Sequence, residues 1–101
     1  MNLKEGSVLY VRTDCRASIE EVTEEVAMAS MVYLQTLAKE RFLVAGCFGN
    51  MELCDVDGAM VLFEAEDMEE AKRLSDKDPV IQGGFYRYEI QKWNIMLATQ
   101  D

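Results

Sequence analysis

The chain contains no histidine. The one side chain whose ordinary pKa lies near neutrality is therefore missing, and Ser-His-Asp and Cys-His nucleophile sets are excluded with it. A glycine-rich phosphate loop and a GxSxG elbow are also absent, which removes the chemistry that depends on them. There is a single proline and no low-complexity tract, so the composition is not that of a disordered chain. No apolar stretch approaches the roughly 20 residues that span a bilayer. The opening MNLKEGSVLYV lacks the basic start and apolar run of a secretion signal, and no membrane association is expected. Cations are scarce: ten Lys and Arg stand against nineteen Asp and Glu, a formal charge of −9. Such a surface repels phosphate backbones, so no nucleic-acid binding is expected. Cysteine is limited to Cys15, Cys47 and Cys54, with no CxxC pair and one left over. Without a secretion signal this predicts reduced thiols and a cytoplasmic location.

Half of the 101 residues are hydrophobic, enough for one core, and the chain reads as a single domain over residues 1–101, with a core at about 7–93 and an apolar tail at 94–101. SVLYVR at 7–12 alternates as a first strand, which the following Thr-Asp-Cys-Arg run interrupts. Ser18 with Glu21 forms a capping-box signature, and Ile19, Val22, Val26, Ala29, Tyr33 and Leu37 keep helical spacing to about Lys39. FLVAGCF at 42–48 and AMVLFEA at 59–65 predict a second and a third strand paired as a hairpin, joined by the irregular NMELCDVDG. Asp67 with Glu70 repeats the capping logic for a short second helix, which Asp78-Pro79 ends. After Gly83-Gly84, FYRYEIQKW at 85–93 alternates as a fourth strand.

The order β-α-β-β-α-β predicts an α+β, ferredoxin-like fold: a four-stranded antiparallel sheet with two helices on one face. The opposite face of such a sheet should be polar. Here both alternating sets of the middle strands are apolar, Val44 as well as Leu43 and Ala45, and Met60 and Leu62 as well as Val61 and Phe63. Either a homodimer through the open face of the sheet covers that side, or the C-terminal tail and loops of a monomer do.

Three segments in order, YLQTLAKERFLVAG at 33–46, EEAKRLSDKDP at 69–79 and YEIQKW at 88–93, give the chain its resemblance to the YciI-like (YCII-related) domain family of the dimeric α-β barrel superfamily. The resemblance runs from the first strand to Trp93. It implies a ferredoxin-like subunit, dimerisation through the open sheet face, and a cleft in which a histidine and the aspartate of an Asp-Pro step form a proposed acid/base pair. Carried over by residue, Asp78 takes the aspartate place, Ser30 stands at the histidine position, and Cys47 stands where relatives show proline. A serine hydroxyl can orient a ligand but cannot shuttle protons as imidazole does.

Asp78 is accordingly the candidate general base, with a helix-terminating turn residue as the plainer alternative. Ser30 and Tyr33 lie within one helical turn and could present hydroxyls to a ligand. Arg12, or Arg87 in the fourth strand, could hold a carboxylate or phenolate, or serve in an ordinary salt bridge. Tyr10, Tyr86, Tyr88 and Trp93 could line an aromatic-friendly cavity or simply pack the sheet. The substrate-binding set expected from this is Arg12, Tyr33, Cys47 and Tyr88. No cofactor and no metal are expected: Cys47 and Cys54 lack partners for zinc, and DVDG at 55–58 with Glu64 reads as a coincidental turn. Two functions stay open. One is a protein that binds a small organic molecule and carries out lyase- or isomerase-type proton transfer near Asp78. The other is a non-catalytic homodimeric ligand-sensing, accessory or scaffold module.

Overall fold

The computed structural model describes residues 7–50 and 55–99. Its elements are β1 (Val8–Arg16), α1 (Glu24–Ala38), β2 (Leu43–Asn50), β3 (Asp55–Phe63), α2 (Met68–Asp76), the short α3 (Pro79–Gln82) and β4 (Tyr86–Asn94). The four strands form one sheet in the order β2-β3-β1-β4, every neighbour antiparallel. This is the ferredoxin-like α+β arrangement, with β1 inside the sheet and β2 paired to β3.

Register assigns the faces. Tyr10 pairs with Phe63 and Arg12 with Val61, and these in turn face Leu43 and Ala45 of β2. Tyr10, Val61 and Phe63 form the buried core with Ala71 of α2, flanked by Leu34, Met68, Leu74 and Ile90. α1 and α2 therefore cover this side. At about 25 cal/mol per Å² of apolar surface removed from water, such side chains supply the main drive for the helices to dock. The other side carries Val44, Met60 and Leu62 in adjoining register, and Val44, Phe48, Met60 and Trp93 remain exposed there. The described part of the tail leaves much of it open: Met96 and Leu97 stand in solvent, while Ile95 and Leu9, the partner of Trp93, are buried.

Three boundaries differ from expectation. β1 does not stop at residue 12; Thr13–Arg16 pair in register with Tyr86–Glu89 of β4, and the apolar alternation fails there only because the helix-covered positions hold Arg12 and Asp14. α1 begins at Glu24 rather than near Ser18. The Ser18 hydroxyl accepts Glu20 N at 3.0 Å in a local turn, and the true N-cap is Thr23, whose Oγ1 accepts Val26 N at 3.1 Å. Glu24 and Glu25 occupy the first turn, where the helix dipole favours them, while Glu20 and Glu21 precede the helix. The DVDG segment is not a turn but the start of β3, with Gly58 at φ 98°. A Cβ at Gly58 would lie 2.6 Å from the Asp14 carbonyl oxygen, so only glycine lets β3 approach β1 at this point.

The second cap is as the sequence predicts, Asp67 Oδ1 accepting Glu70 N at 2.8 Å. Past α2 the Asp78-Pro79 step does more than stop a helix. Asp78 caps α3, Pro79 fills its first position with no N–H to waste, and α3 packs against α1.

Candidate functional site

Beneath the helices, four polar side chains from three elements meet. Arg12 and Asp14 project from the same face of β1, Ser30 from α1, and Asp78 from the cap of α3. Arg12 grips Asp14 through two parallel bonds, Nε to Oδ1 at 2.8 Å and Nη2 to Oδ2 at 2.6 Å. The same Nη2 reaches Asp78 Oδ2 at 3.0 Å. The other Asp78 oxygen accepts Ser30 Oγ at 2.6 Å and Val80 N at 3.2 Å. Arg12, Asp14, Ser30 and Asp78 are all buried, Asp78 completely. Isolated charges in such surroundings would cost several kcal/mol each; pairing through charge-assisted hydrogen bonds makes them tolerable.

Two carboxylates share one guanidinium, and the imbalance shows in the proton affinities. Burial raises the Asp14 pKa above its ordinary value; the hydrogen bond and charge of Arg12 oppose this, and the charge of Asp78 adds to it. Burial would lower the Arg12 pKa, but the hydrogen bonds and charges of Asp14 and Asp78 together outweigh it and raise the pKa instead. Asp14 thus holds its proton more readily than a free aspartate, and Arg12 stays charged.

A cleft of about 310 Å³ opens over this network. Asp14, Arg12 and Ser30 make its polar floor, and its walls include Leu34, Met31, Val80 and Tyr86. The register explains the space. Cys47, Ala59 and Asp14 lie in one cross-strand row, and Ala45, Val61 and Arg12 in the next. Small side chains at Ala45 and Ala59 leave a hollow between the edge strand and the charges.

Of the residues singled out in the sequence, Arg12, Ser30 and Cys47 line the cleft, with Cys47 an exposed free thiol at the edge strand. Asp78 lies behind the floor, both its oxygens committed to Arg12, Ser30 and Val80. Tyr33 and Tyr88, expected on the ligand side, are instead tied to α2. The Tyr33 hydroxyl donates to Leu74 O at 2.7 Å, and the Tyr88 hydroxyl to Asp76 Oδ1 at 2.7 Å. Their phenols staple the second helix to α1 and β4. Arg12 is no surface salt bridge, since both of its carboxylate partners belong to the buried network. The residue that the sequence reading missed is Asp14. Its signal was the two-residue step from Arg12, visible only if β1 is carried through the polar run.

The comparisons with known proteins agree with this architecture. The YCII-related domain model matches residues 7–94. The chain belongs to the YCII-related domain family. Among solved structures, this YCII-related domain is similar to 5-chloro-2-hydroxyhydroquinone dehydrochlorinase from Burkholderia phenoliruptrix in complex with 2,5-dihydroxybenzoquinone. The TM-score is 0.68 at 20% identity, covering 87% of this chain and 94% of that one. A dimeric ferredoxin-like protein of unknown function from Thermobifida fusca aligns with a TM-score of 0.48 and 12% identity, over 93% of this chain and 97% of that one. No curated protein matches the chain. No helix among the described residues is long and apolar enough to cross a membrane.

Proposed function

We propose that this YCII-related domain binds a small organic molecule in the cleft above Arg12 and carries out a proton transfer of the lyase or isomerase kind, with Asp14 as the acid/base group. The observation that carries this reading is a carboxyl group of raised pKa on the floor of an otherwise largely apolar cleft. A desolvated carboxylate is a stronger base than a solvated one, so its burial supplies part of what the missing histidine would. Arg12 fixes the carboxyl plane and Asp78 fixes Arg12, so Asp78 is a positioning residue. Ser30 adds a hydroxyl that lines the cleft while donating to Asp78. The volume lies at the small end of ligand pockets, suited to a single ring. The dehydrochlorinase of similar fold, held with 2,5-dihydroxybenzoquinone, supports a ligand of that size.

The test begins with a thermal-shift screen of small cyclic compounds, followed by solvent-deuterium exchange into the ligand found. Asp14→Asn should bind that ligand and lose the exchange. Unchanged exchange in the variant would remove Asp14 from the role. A second reading, a non-catalytic sensing, accessory or scaffold module, is favoured by serine at the family's histidine position. Binding with no exchange in the unaltered protein would select it.

The homodimer belongs to the same proposal. Val44, Phe48, Met60 and Trp93 are exposed on the open sheet face, and an apolar groove of about 210 Å³ runs between Val44, Met60 and Leu62. A second copy laid sheet to sheet would remove these side chains from water. The free, exposed thiols of Cys15 and Cys47 are in keeping with a reducing cytoplasm.

A further inference from the structure

An arginine in the floor of a cleft ordinarily advertises a site for carboxylates or phosphates. The charges around Arg12 point the other way. Its single positive charge faces Asp14 and Asp78, and the three side chains are 3%, 1% and 0% exposed respectively. With both carboxylates ionised, the buried cluster carries a net charge of −1. Among the described residues no other one lining the cleft is charged: the remaining contributors are Ser30, Cys47, Gly46, Tyr86 and aliphatic side chains. An incoming anion would therefore meet an arginine already outnumbered, in a place where water screens little, and inside a chain of formal charge −9.

The unused hydrogen-bonding capacity is equally specific. Asp14 accepts one bond at each oxygen, both from Arg12, which leaves about half of the lone-pair sites of a carboxylate open. Arg12 spends Nε and Nη2 on Asp14 and Asp78. Its Nη1 has no hydrogen bond among the described residues, yet it is not a sealed orphan; among them only Arg41 Nε is both sealed and unpartnered. Nη1 therefore keeps contact with open space, and the sizeable space that Arg12 borders is the cleft. The floor thus offers an acceptor at Asp14 beside a donor at Arg12.

Resting on the reading that this cleft binds a small molecule, we infer that it selects uncharged ligands bearing an O–H or N–H next to a carbonyl, and discriminates against carboxylates. The ligand's hydroxyl or N–H donates to Asp14, and its carbonyl accepts from Arg12 Nη1. A cationic ligand satisfies Asp14 but offers Arg12 no carbonyl, brings a second positive charge beside the guanidinium, and must shed its water among the apolar walls.

Salicylamide, salicylate and 2-hydroxybenzylamine form a matched trio: one ring and one hydroxyl beside an uncharged, an anionic and a cationic group at neutral pH. Titration calorimetry should give salicylamide an affinity about tenfold or more above that of salicylate, the scale of one nearby like charge. In Asp14→Asn or Asp78→Asn, each lacking one of the two negative charges, that gap should narrow. Salicylate binding as tightly as salicylamide, or 2-hydroxybenzylamine binding tightest, overturns the inference while leaving the binding site standing. A second measurement needs no ligand. Cys47 lines the cleft, so its alkylation by anionic iodoacetate should lag behind that by neutral iodoacetamide, and the lag should shrink in either Asn variant, read at the Cys47 peptide by mass spectrometry. No binding in the trio together with a variant-sensitive lag sinks the ligand reading and keeps the charge assignment. A lag identical in all three proteins sinks the charge assignment itself.

Discussion

The two faces of the single sheet invert the usual rule of burial. On the helix-covered face the deepest positions include Arg12 and Asp14, each at 2% exposure, whereas on the open face Trp93 is 47% exposed and Phe48 45%. Charge lies inside and aromatic surface outside. Both inversions work against the stability of an isolated subunit, one through desolvation and the other through hydration of apolar surface. The covered face can keep its charges only because each has a partner. Among the described residues the exposed side chains of the open face have no comparable compensation, and the proposed second copy would supply it. The contrast separates two kinds of functional surface: a polar one that needs geometry, and an apolar one that needs area.

The sharpest way to break this contrast is Arg12→Leu. Removing the only cation of the buried network strands Asp14 and Asp78, and urea denaturation should report a loss of roughly 3–5 kcal/mol. A loss under about 1 kcal/mol would reduce the covered face to ordinary packing. On the open face, Met60→Lys places a charge in the centre of the proposed interface. Light scattering at micromolar concentration should then give a monomeric mass where the unaltered chain gives a dimer, a weakening of about 100-fold or more. A dimeric mass in the variant would move the interface elsewhere.

Ser30→Ala should cost about 1–3 kcal/mol, because it takes a short buried bond from Asp78 and leaves that oxygen with Val80 N alone. Smaller still is a pH effect. The pKa of Asp14 is raised in the folded protein above the ordinary 3.8, so the stability this group contributes is fully present below that value and is lost as pH rises through the higher folded pKa. The difference in urea midpoint between the unaltered protein and Asp14→Asn should therefore be most favourable to the unaltered protein in acid and should decline toward neutrality; a difference independent of pH would assign Asp14 an unshifted pKa. The mildest expectation concerns Tyr88, whose pKa is pushed up to about 12 by burial and by the bond to Asp76. Alkaline ultraviolet titration should find Tyr88 titrating late, along with Tyr33, whose pKa burial also raises, and Asp76→Asn should shift only the Tyr88 step back toward 10 without altering ligand binding in the cleft.

The architecture was legible because strands and helices announce themselves by local period. The alternation in SVLYVR, the Asp67 cap and the two-sided apolar ribbons around Leu43–Ala45 and Met60–Phe63 each depend on neighbours a few residues away. The site was legible only in part. Ser30 and Asp78 came from family resemblance, and Arg12 from its place on a strand. Asp14 was hidden in the Thr-Asp-Cys-Arg run, where polarity imitates a loop. A polar strand face looks like an error of pattern until its partner arrives, and here the partners of Arg12 and Ser30 lie 66 and 48 positions away along the chain. Ser18 failed as a cap for the opposite reason: the local motif was present, but its hydroxyl was already spent on a turn.

By itself the sequence determined the four strands and two main helices to within their ends, their order, and that greasy side chains project from both sides of the sheet, because periodicity and composition are properties of short stretches of chain. Only the tertiary structure decided that one arginine is shared by two aspartates under a cleft and that two tyrosines brace α2 instead of facing a ligand. Those outcomes depend on strand register and helix docking, which set distances between residues far apart in the chain, and it is distance that fixes the strength of a charge interaction and the availability of a hydrogen bond.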